Sequence, residues 1–469
     1  MKYYENHAED VNITYIGGGS RGWAWGLMSD LASQDILSGT VRLYDIDKDA
    51  AAANVIIGNK VKDAEGAKSS WKYVACDSLK EALTGTDFVV ISILPGTFDE
   101  MASDVHEPEK YGIFQSVGDT AGPGGLVRAL RTLPMYKPIA EAIRDYSPDA
   151  WVINYTNPRS LCVTALYHYF PQIKAFGCCH EVFSTQKLLS TALEELRGIK
   201  DVKRSDINVN VQGINHFTWL SAGRYRNIDL LDLYREFVDK YYENGYEDMS
   251  EKDHWMNSTF ACAHRVKFDL FRRYGCIAAA GDRHLAEFMP GKMYLADPDT
   301  VKEWKFGLTT VDWRKNDLKE RLAKSARLVS GEEEFKLRET GEEGVNMMQA
   351  LAGYKTLVSN VNIPNIGQCP DLPLGAVTET NAVFRHDSVT PVCAGKMTNE
   401  IHAMVSRHIH NHITILLASA NNDADAAFTA FINDPLVTCS YADAKKLFKD
   451  MLLNTAAYLP SELVESIRF

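Results

Sequence analysis

The stretch from Val11 to Asp45 constrains this chain more than any other. An apolar run, Val11-Asn12-Ile13-Thr14-Tyr15-Ile16, breaks into Gly17-Gly18-Gly19-Ser20-Arg21-Gly22. A helical pattern carrying Leu27, Met28 and Leu31 follows, and Val41-Arg42-Leu43-Tyr44-Asp45 resumes as a second strand. Glycines at 17, 19 and 22 have the G-x-G-x-x-G spacing, in which missing side chains permit a tight turn, close approach of a pyrophosphate and close packing of helix on strand. The helix N-terminus then offers unpaired N–H groups to the phosphates. Asp45 lies 23 residues past Gly22 at a strand end, where a carboxylate accepts from a ribose 2′-OH and repels a 2′-phosphate. Such a triplet alone can be an ordinary surface turn. With strand, helix and acid in register it predicts a dinucleotide site preferring NAD, with Gly17, Gly18, Gly19, Ser20, Arg21 and Asp45 as contacts.

The chain has 469 residues, room for two or three domains and a large core. Its net charge of −12 argues against nucleic acid or an anionic membrane as the main partner, since both need a basic face. Residues 1–10 are polar and acidic, and no later run has the length of a membrane span, so the expected location is the cytoplasm. Nine cysteines without a spacing pattern read as reduced thiols.

Strand and helix signals continue to alternate after Asp45: a helix over 47–61, a strand at 73–75, a helix over 78–83 and an unbroken apolar strand over 88–94, stopped by Pro95-Gly96. A long loop then holds Gly118-Asp119-Thr120-Ala121-Gly122-Pro123-Gly124-Gly125, ahead of a helix with Leu126, Leu130 and Leu133. Further strands are expected at 151–154, with the exit turn Tyr155-Thr156-Asn157-Pro158, and at 173–177. Ligands of a doubly wound sheet bind beyond the C-terminal strand ends, where Asn154, Asn157 and Cys179-His180 fall.

Beyond about residue 200 the pattern changes. Ile207, Val209 and Val211 alternate with polar residues, as in an antiparallel layer. The remainder reads as mostly helical to Ala352, irregular and Pro-rich over 361–373, and closed by a long helix over 397–420. The expected class is α/β: a Rossmann-type doubly wound parallel sheet in 1–200, which binds NAD, and a second α+β domain in 201–469 for substrate, metal and oligomerisation. That second domain is expected to resemble the C-terminal domain of lactate and malate dehydrogenases and to pack firmly on the first.

Two short segments carry groups suited to chemistry. Gly177-Cys178-Cys179-His180-Glu181-Val182 sets thiol, imidazole and carboxylate side by side, and Gly213-Ile214-Asn215-His216-Phe217 places a second histidine where the other domain begins. A thiolate and an imidazole are too few for a structural zinc site, so a metal held here would keep open positions for substrate. Taken singly, Cys179 reads as a buried thiol and His216 as a satisfied turn histidine. His408 and His412, at i, i+4 on the last helix, have a spacing that can hold a metal but read as a polar helix face.

Taken together, these segments, with Asn154-Tyr155-Thr156-Asn157-Pro158 and Val361-Asn362-Ile363-Pro364-Asn365-Ile366-Gly367-Gln368, resemble family 4 of the glycoside hydrolases. That NAD-dependent family stands outside two-carboxylate glycoside hydrolysis. The resemblance implies oxidation of the sugar at C3 by bound NAD, loss of the C2 proton, elimination of the aglycone, addition of water and return of the hydride. It implies a divalent cation, usually Mn²⁺, bound by Cys179 and His216 and bridging the C2 and C3 oxygens. Asp119 and Asn154 would contact the sugar, with Asn154 also beside the cofactor. His180 stands where phospho-α-glucosidases carry an acidic residue and is the candidate general acid. Asp282, in Gly281-Asp282-Arg283-His284, is the candidate base where phospho-sugar members have tyrosine.

Cys179-His180-Glu181-Val182 resembles the subgroup acting on α-galacturonides, for which Arg283 is the expected carboxylate partner. The implied partners are a small glycoside and further copies of the chain in a dimer or tetramer. An α-glucosidase or α-galactosidase of the same family, an NAD-dependent 2-hydroxy-acid dehydrogenase and a non-catalytic NAD sensor are the competing readings. An open metal site argues against the sensor.

Overall fold

In the computed structural model, which describes residues 1–247 and 262–468, parallel strands run in the order Trp71–Ala75, Leu37–Tyr44, Ala8–Ile16, Phe88–Ile91, Trp151–Asn154, Lys174–Gly177. This is the doubly wound order, and its direction reverses between Ala8–Ile16 and Phe88–Ile91, which opens a crevice at their C-terminal ends. Gly17 leaves the first of these strands at φ +94° and packs against the carbonyl of Ser92, which leaves the second. Phe88–Ile91 is buried along its whole length, as an unbroken apolar run between two helical layers should be.

Two stretches expected to be irregular are ordered elements. Phe98–His106 is a helix inside the presumed long loop, started by a capping box in which Thr97 and Glu100 satisfy each other's backbone N–H groups. The stretch from 361 begins within a strand, Leu357–Pro364, which pairs antiparallel with Lys174–Gly177 and extends the first sheet through Val377–Arg385 and Ser388–Pro391. The alternation there is real but unusual. Val361 and Ile363 point to one buried face, while Asn360 and Asn362 point to the other, which is also buried because a carboxylate waits there to bind them. The two halves of the chain therefore share one sheet.

A second, antiparallel sheet is built from Asn208–Ile214, Phe217–Tyr225, Ile228–Asp229 and Ile277–Ala278. Ile214 pairs with Phe217, so Asn215 and His216 form the tip of a tight hairpin, and His216 takes a left-handed φ of +64°. One face of the parallel sheet is covered by Trp23–Ala32 and Lys48–Lys60, and the other by the long helices Gly122–Tyr146 and Arg159–Tyr169, on which Asn399–Asn421 packs in turn. The helix Asn399–Asn421 does not close the chain, since Ala424–Ile432, Tyr441–Asn454 and Ser461–Glu465 follow it, and His408 and His412 lie on its buried face, not on a polar one: His408 packs 4.9 Å from the ring of Phe288. Burial pushes their pKa values down to about 3 and about 4.

The loop that leads to Asp119 is pinned from the second half of the chain. Glu287, fully buried, accepts from the backbone N–H groups of Val117 at 2.7 Å and Gly118 at 2.9 Å through one oxygen, while its other oxygen has no partner. Burial lifts its pKa to about 8.

Two outcomes follow from these placements. Gly17→Ala forces a Cβ into the Ser92 carbonyl at a positive φ and should cost about 1–3 kcal/mol with loss of NAD binding, read by thermal denaturation and nicotinamide titration. Glu287 binds its proton more tightly folded than unfolded, so its contribution is complete below the unfolded value and is lost as pH rises through about 8. Glu287→Gln keeps the accepting oxygen and removes the charge. It should match the wild type in stability near pH 4.5 and exceed it by a few kcal/mol, on the order of 1–4, by pH 9; equal stability at both pH values would show that the carboxyl is not perturbed.

Candidate functional site

The hairpin tip, the glycine-rich loop and the short helix Asp282–Glu287 meet at one place. Among the described residues, the ligand atoms of Asp119, His216 and His284 lie within 4.8 Å of one another, and the two imidazoles, tilted 34° to each other, have centroids 3.8 Å apart. Thr120 fixes the chemistry of this group. Its hydroxyl lies 2.6 Å from Asp119 Oδ1, an acceptor only, and 3.0 Å from His216 Nδ1. The single hydroxyl proton goes to the carboxylate, so His216 Nδ1 must carry a proton and donate it to Thr120. His216 Nε2 is then a bare lone pair, the form a metal ion takes.

Burial, then the neighbouring His284, pushes the His216 pKa well below its usual value, which keeps the ring neutral. His284 is pushed down by burial as well, and its Nδ1 is buried without a partner. Asn157, after the strand Trp151–Asn154, holds the other Asp119 oxygen at 3.1 Å. A carboxylate, a bare imidazole nitrogen and a second imidazole with an unpartnered nitrogen form a donor set that suits a divalent cation.

Glu181 borders this group, while Cys179, the expected ligand, is not among the ligand atoms that lie within 4.8 Å of one another. Cys178 Sγ packs 3.2 Å from Met347 Sδ in the core beneath Trp23–Ala32, a core to which Cys179 does not belong. Burial pushes the Cys179 thiol up to about 12, partly offset by Arg159; a bound cation would reverse this and hold it as thiolate. Glu181 accepts from Gly281 N–H at 2.7 Å and lies 3.9 Å from His284 Nε2. The backbone of Cys179 is held by Asn360, which with Asn362 and Asn215 also binds Glu379, a carboxylate buried behind the site.

The glycine turn after Ala8–Ile16 is tight, as the spacing of its glycines predicts. Gly17 and Gly18 both donate to the Tyr44 carbonyl, and Asp45 Oδ2 accepts from Gly19 N–H at 2.8 Å. A Cβ on Gly18 would meet Leu43, and one on Gly19 would meet Ala50 and the Asp45 carboxylate. Ser20 accepts from Trp23 N–H and from Asn54, and the backbone carbonyls of Arg21 and Gly22 accept from Arg321 and Arg338, guanidinium groups that arrive from the second half of the chain. The turn is too narrow for side chains at Gly17, Gly18 and Gly19, the demand that a dinucleotide-binding turn makes.

Other expected residues are engaged elsewhere. Asn154 is fully buried and uses its side-chain amide on Tyr136 and Thr156, so it braces the exit turn; Asn157 is the asparagine that reaches Asp119. His180 is half-exposed and pairs with Glu342 at 2.6 Å, which raises its pKa against the opposing effect of burial. Asp282 is fully buried and accepts from the backbone of Val266 and Lys267, capping the helix Arg265–Tyr274; burial lifts its pKa to about 6. Arg283 donates to the carbonyls of Ser116 and Gly307 and to Thr309. Sequence reasoning missed His284, two positions beyond Asp282, and Glu181, which follows His180. Their signal was present in the quoted motifs, but only the crossing of three distant segments selects them.

Known proteins place this arrangement. Residues 12–195 match the model of the family 4 glycosyl hydrolases, and residues 211–437 match that of the family 4 glycosyl hydrolase C-terminal domain. An α-galacturonidase of Thermoanaerobacterium saccharolyticum is 61% identical over 459 residues, covering 98% of each chain. A solved structure from Bacillus subtilis, lplD, named as a glucosidase, superposes with a TM-score of 0.90 at 50% identity, over 95% of this chain and 100% of that one. A 6-phospho-α-glucosidase from gut microorganisms, solved with NAD and Mn²⁺, has the same fold at a TM-score of 0.78 and 17% identity, over 96% of this chain and 99% of that one. With both halves matched and nearly the full length shared, the chain belongs to family 4 of the glycoside hydrolases.

Proposed function

We propose that the protein hydrolyses α-galacturonides with NAD and a divalent cation, most simply Mn²⁺, through oxidation, elimination, addition and reduction. The observation that carries this reading is the Thr120 hydroxyl set between Asp119 Oδ1 and His216 Nδ1, from which a bare Nε2 follows within a donor set that Asp119 and His284 complete. The 61% identity to an α-galacturonidase over 98% of each chain supports the substrate. Bound NAD supplies reversible hydride acceptance at the sugar C3, and a divalent cation supplies Lewis-acid polarisation of the C2 and C3 oxygens.

The protein's own residues do the rest. His216, Asp119 and His284, with the Cys179 thiolate of the family motif, would hold the cation. Thr120 and Asn157 keep Asp119 and His216 in register. Glu181, whose Oε1 lies on the His284 side while Oε2 is held by Gly281 N–H, is placed to accept a proton from a sugar bound there. Asp282 keeps the segment in place through the helix it caps. We further infer that the enzyme works in the cytoplasm, which the nine free thiols support, and as a homo-oligomer, as the family resemblance implies.

Two measurements test this. Hydrolysis should require both NAD and the cation, with no net growth of the reduced nicotinamide absorbance, because the hydride returns within each turnover. Full hydrolysis after exhaustive EDTA dialysis and NAD removal would refute the mechanism, and NADH formed in step with product would identify a dehydrogenase instead. Cys179→Ser should abolish cation-dependent turnover and weaken Mn²⁺ binding, whereas Cys178→Ser, beneath the site against Met347, should cost no more than a few-fold in rate; equal losses would show that both thiols act through packing.

A further inference from the structure

A uronate differs from its neutral sugar by one carboxylate, and burying that charge requires a cation with open donors. The buried guanidinium groups near the site differ in what they already hold. Arg131 is paired with Asp104, and Arg283 donates through Nε and Nη2 to protein oxygens. Arg159 is different. It is 3% exposed, and only Nη2 has a partner, the Tyr155 carbonyl at 3.1 Å. Its Nε and Nη1 are buried without one, and no carboxylate among the described residues lies within ion-pair distance.

The position of Arg159 is also built. It opens the helix Arg159–Tyr169 directly after the Asn157–Pro158 exit turn, at the C-terminal rim of the sheet where ligands bind. Its stem crosses the end of the next strand at Gly177, where an added Cβ would stand 2.8 Å from Arg159 Cγ and 3.1 Å from Cδ. Gly177 is thus the gap through which the side chain passes, and Cys178-Cys179 follow immediately. The guanidinium acts electrostatically on His216 and His284 of the candidate site, and on Cys179 and His180, which follow Gly177 in the chain. Glu379 and Glu342 also lie within its field, but neither pairs with it directly.

We propose that Arg159 is the specificity-determining residue that pairs with the C5 carboxylate of the galacturonide, the role the sequence alone assigned to Arg283. This rests on the galacturonide reading above. A guanidinium presents two parallel N–H donors to a carboxylate and cannot be neutralised at working pH. An uncharged hydroxymethyl group at C5 leaves that buried charge unpaired, so the site rejects galactosides by lacking a partner for its own cation.

The test uses the enzyme loaded with NAD and Mn²⁺ and compares kcat/KM for nitrophenyl α-galacturonide, its methyl ester and nitrophenyl α-galactoside. Arg159→Met should collapse the galacturonide-to-galactoside ratio by on the order of ten- to a hundredfold. Arg159→Lys, which keeps charge but loses the fork and serves if the Met variant is unstable, should lower the ratio less. In the wild type, the methyl ester should lose about the factor that Arg159→Met loses on the free acid. Calorimetric binding of D-galacturonate should weaken in parallel while Mn²⁺ affinity holds. If both glycosides slow together and Mn²⁺ binding weakens, Arg159 acts through the Cys179 thiolate and the proposal is overturned. A galacturonide preference that survives in both variants overturns Arg159 alone; a wild type that prefers the galactoside overturns the galacturonide reading as well.

Discussion

The site depends on one buried carboxylate. Glu379, 1% exposed in the middle of Val377–Arg385, accepts from the side-chain amides of Asn360 at 2.6 Å, Asn362 at 2.9 Å and Asn215 at 3.3 Å. Asn360 and Asn362 lie two apart on the strand Leu357–Pro364, and Asn215 lies at the hairpin tip, yet their second partners are in different segments. Asn360 also holds the backbone of Cys179, Asn362 holds Ser160 in the helix after the Asn157–Pro158 turn, and Asn215 is the neighbour of His216 at the hairpin tip. Burying a carboxylate is expensive unless hydrogen bonds satisfy it, and removing one partner would leave a desolvated polar group behind. The cost of ionic burial thus locks the sheet, the hairpin and the Cys179 strand end into one register.

From that register the rest of the geometry follows. The shared sheet sets the rim on which Cys179, Arg159 and Asn157 sit, and the hairpin brings His216 across to Thr120. Glu287 then holds the glycine-rich loop from the opposite side, so that Asp119 arrives between two anchored segments. A site supported this way is preorganised: its side chains are oriented by partners in the surrounding structure before a substrate enters. The cofactor turn is tied in as well, because Arg321 and Arg338 reach back to the carbonyls of Arg21 and Gly22.

Electrostatically the site is arranged for a cation and an anion at once. The bare His216 nitrogen, Asp119 and His284 converge on a place for positive charge, while Arg159 keeps unpaired donors for negative charge. In a low-dielectric pocket both are worth more than in water, and both are penalised when empty. The fold offsets that penalty with its large shared core, in which each face of the parallel sheet is covered by helices.

What the sequence alone determined is local. The strand, glycine turn and helix of the dinucleotide site, with Asp45 at the next strand end, are read from short-range spacing because each glycine answers a backbone demand within a few residues, and Gly17, Gly18 and Gly19 meet it as expected. The parallel strands were legible for the same reason, as apolar runs between helical periodicities. The strand Leu357–Pro364 was not, because its buried asparagines look like loop residues until Glu379 is placed opposite them. Motifs likewise pointed to Cys179, His216 and Asp119, but which neighbours complete the site was decided in three dimensions. Thr120 and His216 are 96 residues apart, and whether Asp282, Arg283 or His284 faces them depends on the rotation of one short helix about its axis. Only the tertiary structure could turn His284 inward, hold Asp282 and Arg283 on backbone groups and leave Arg159 with open donors, because a side chain's partner across a domain interface is set by packing and not by its neighbours in the chain.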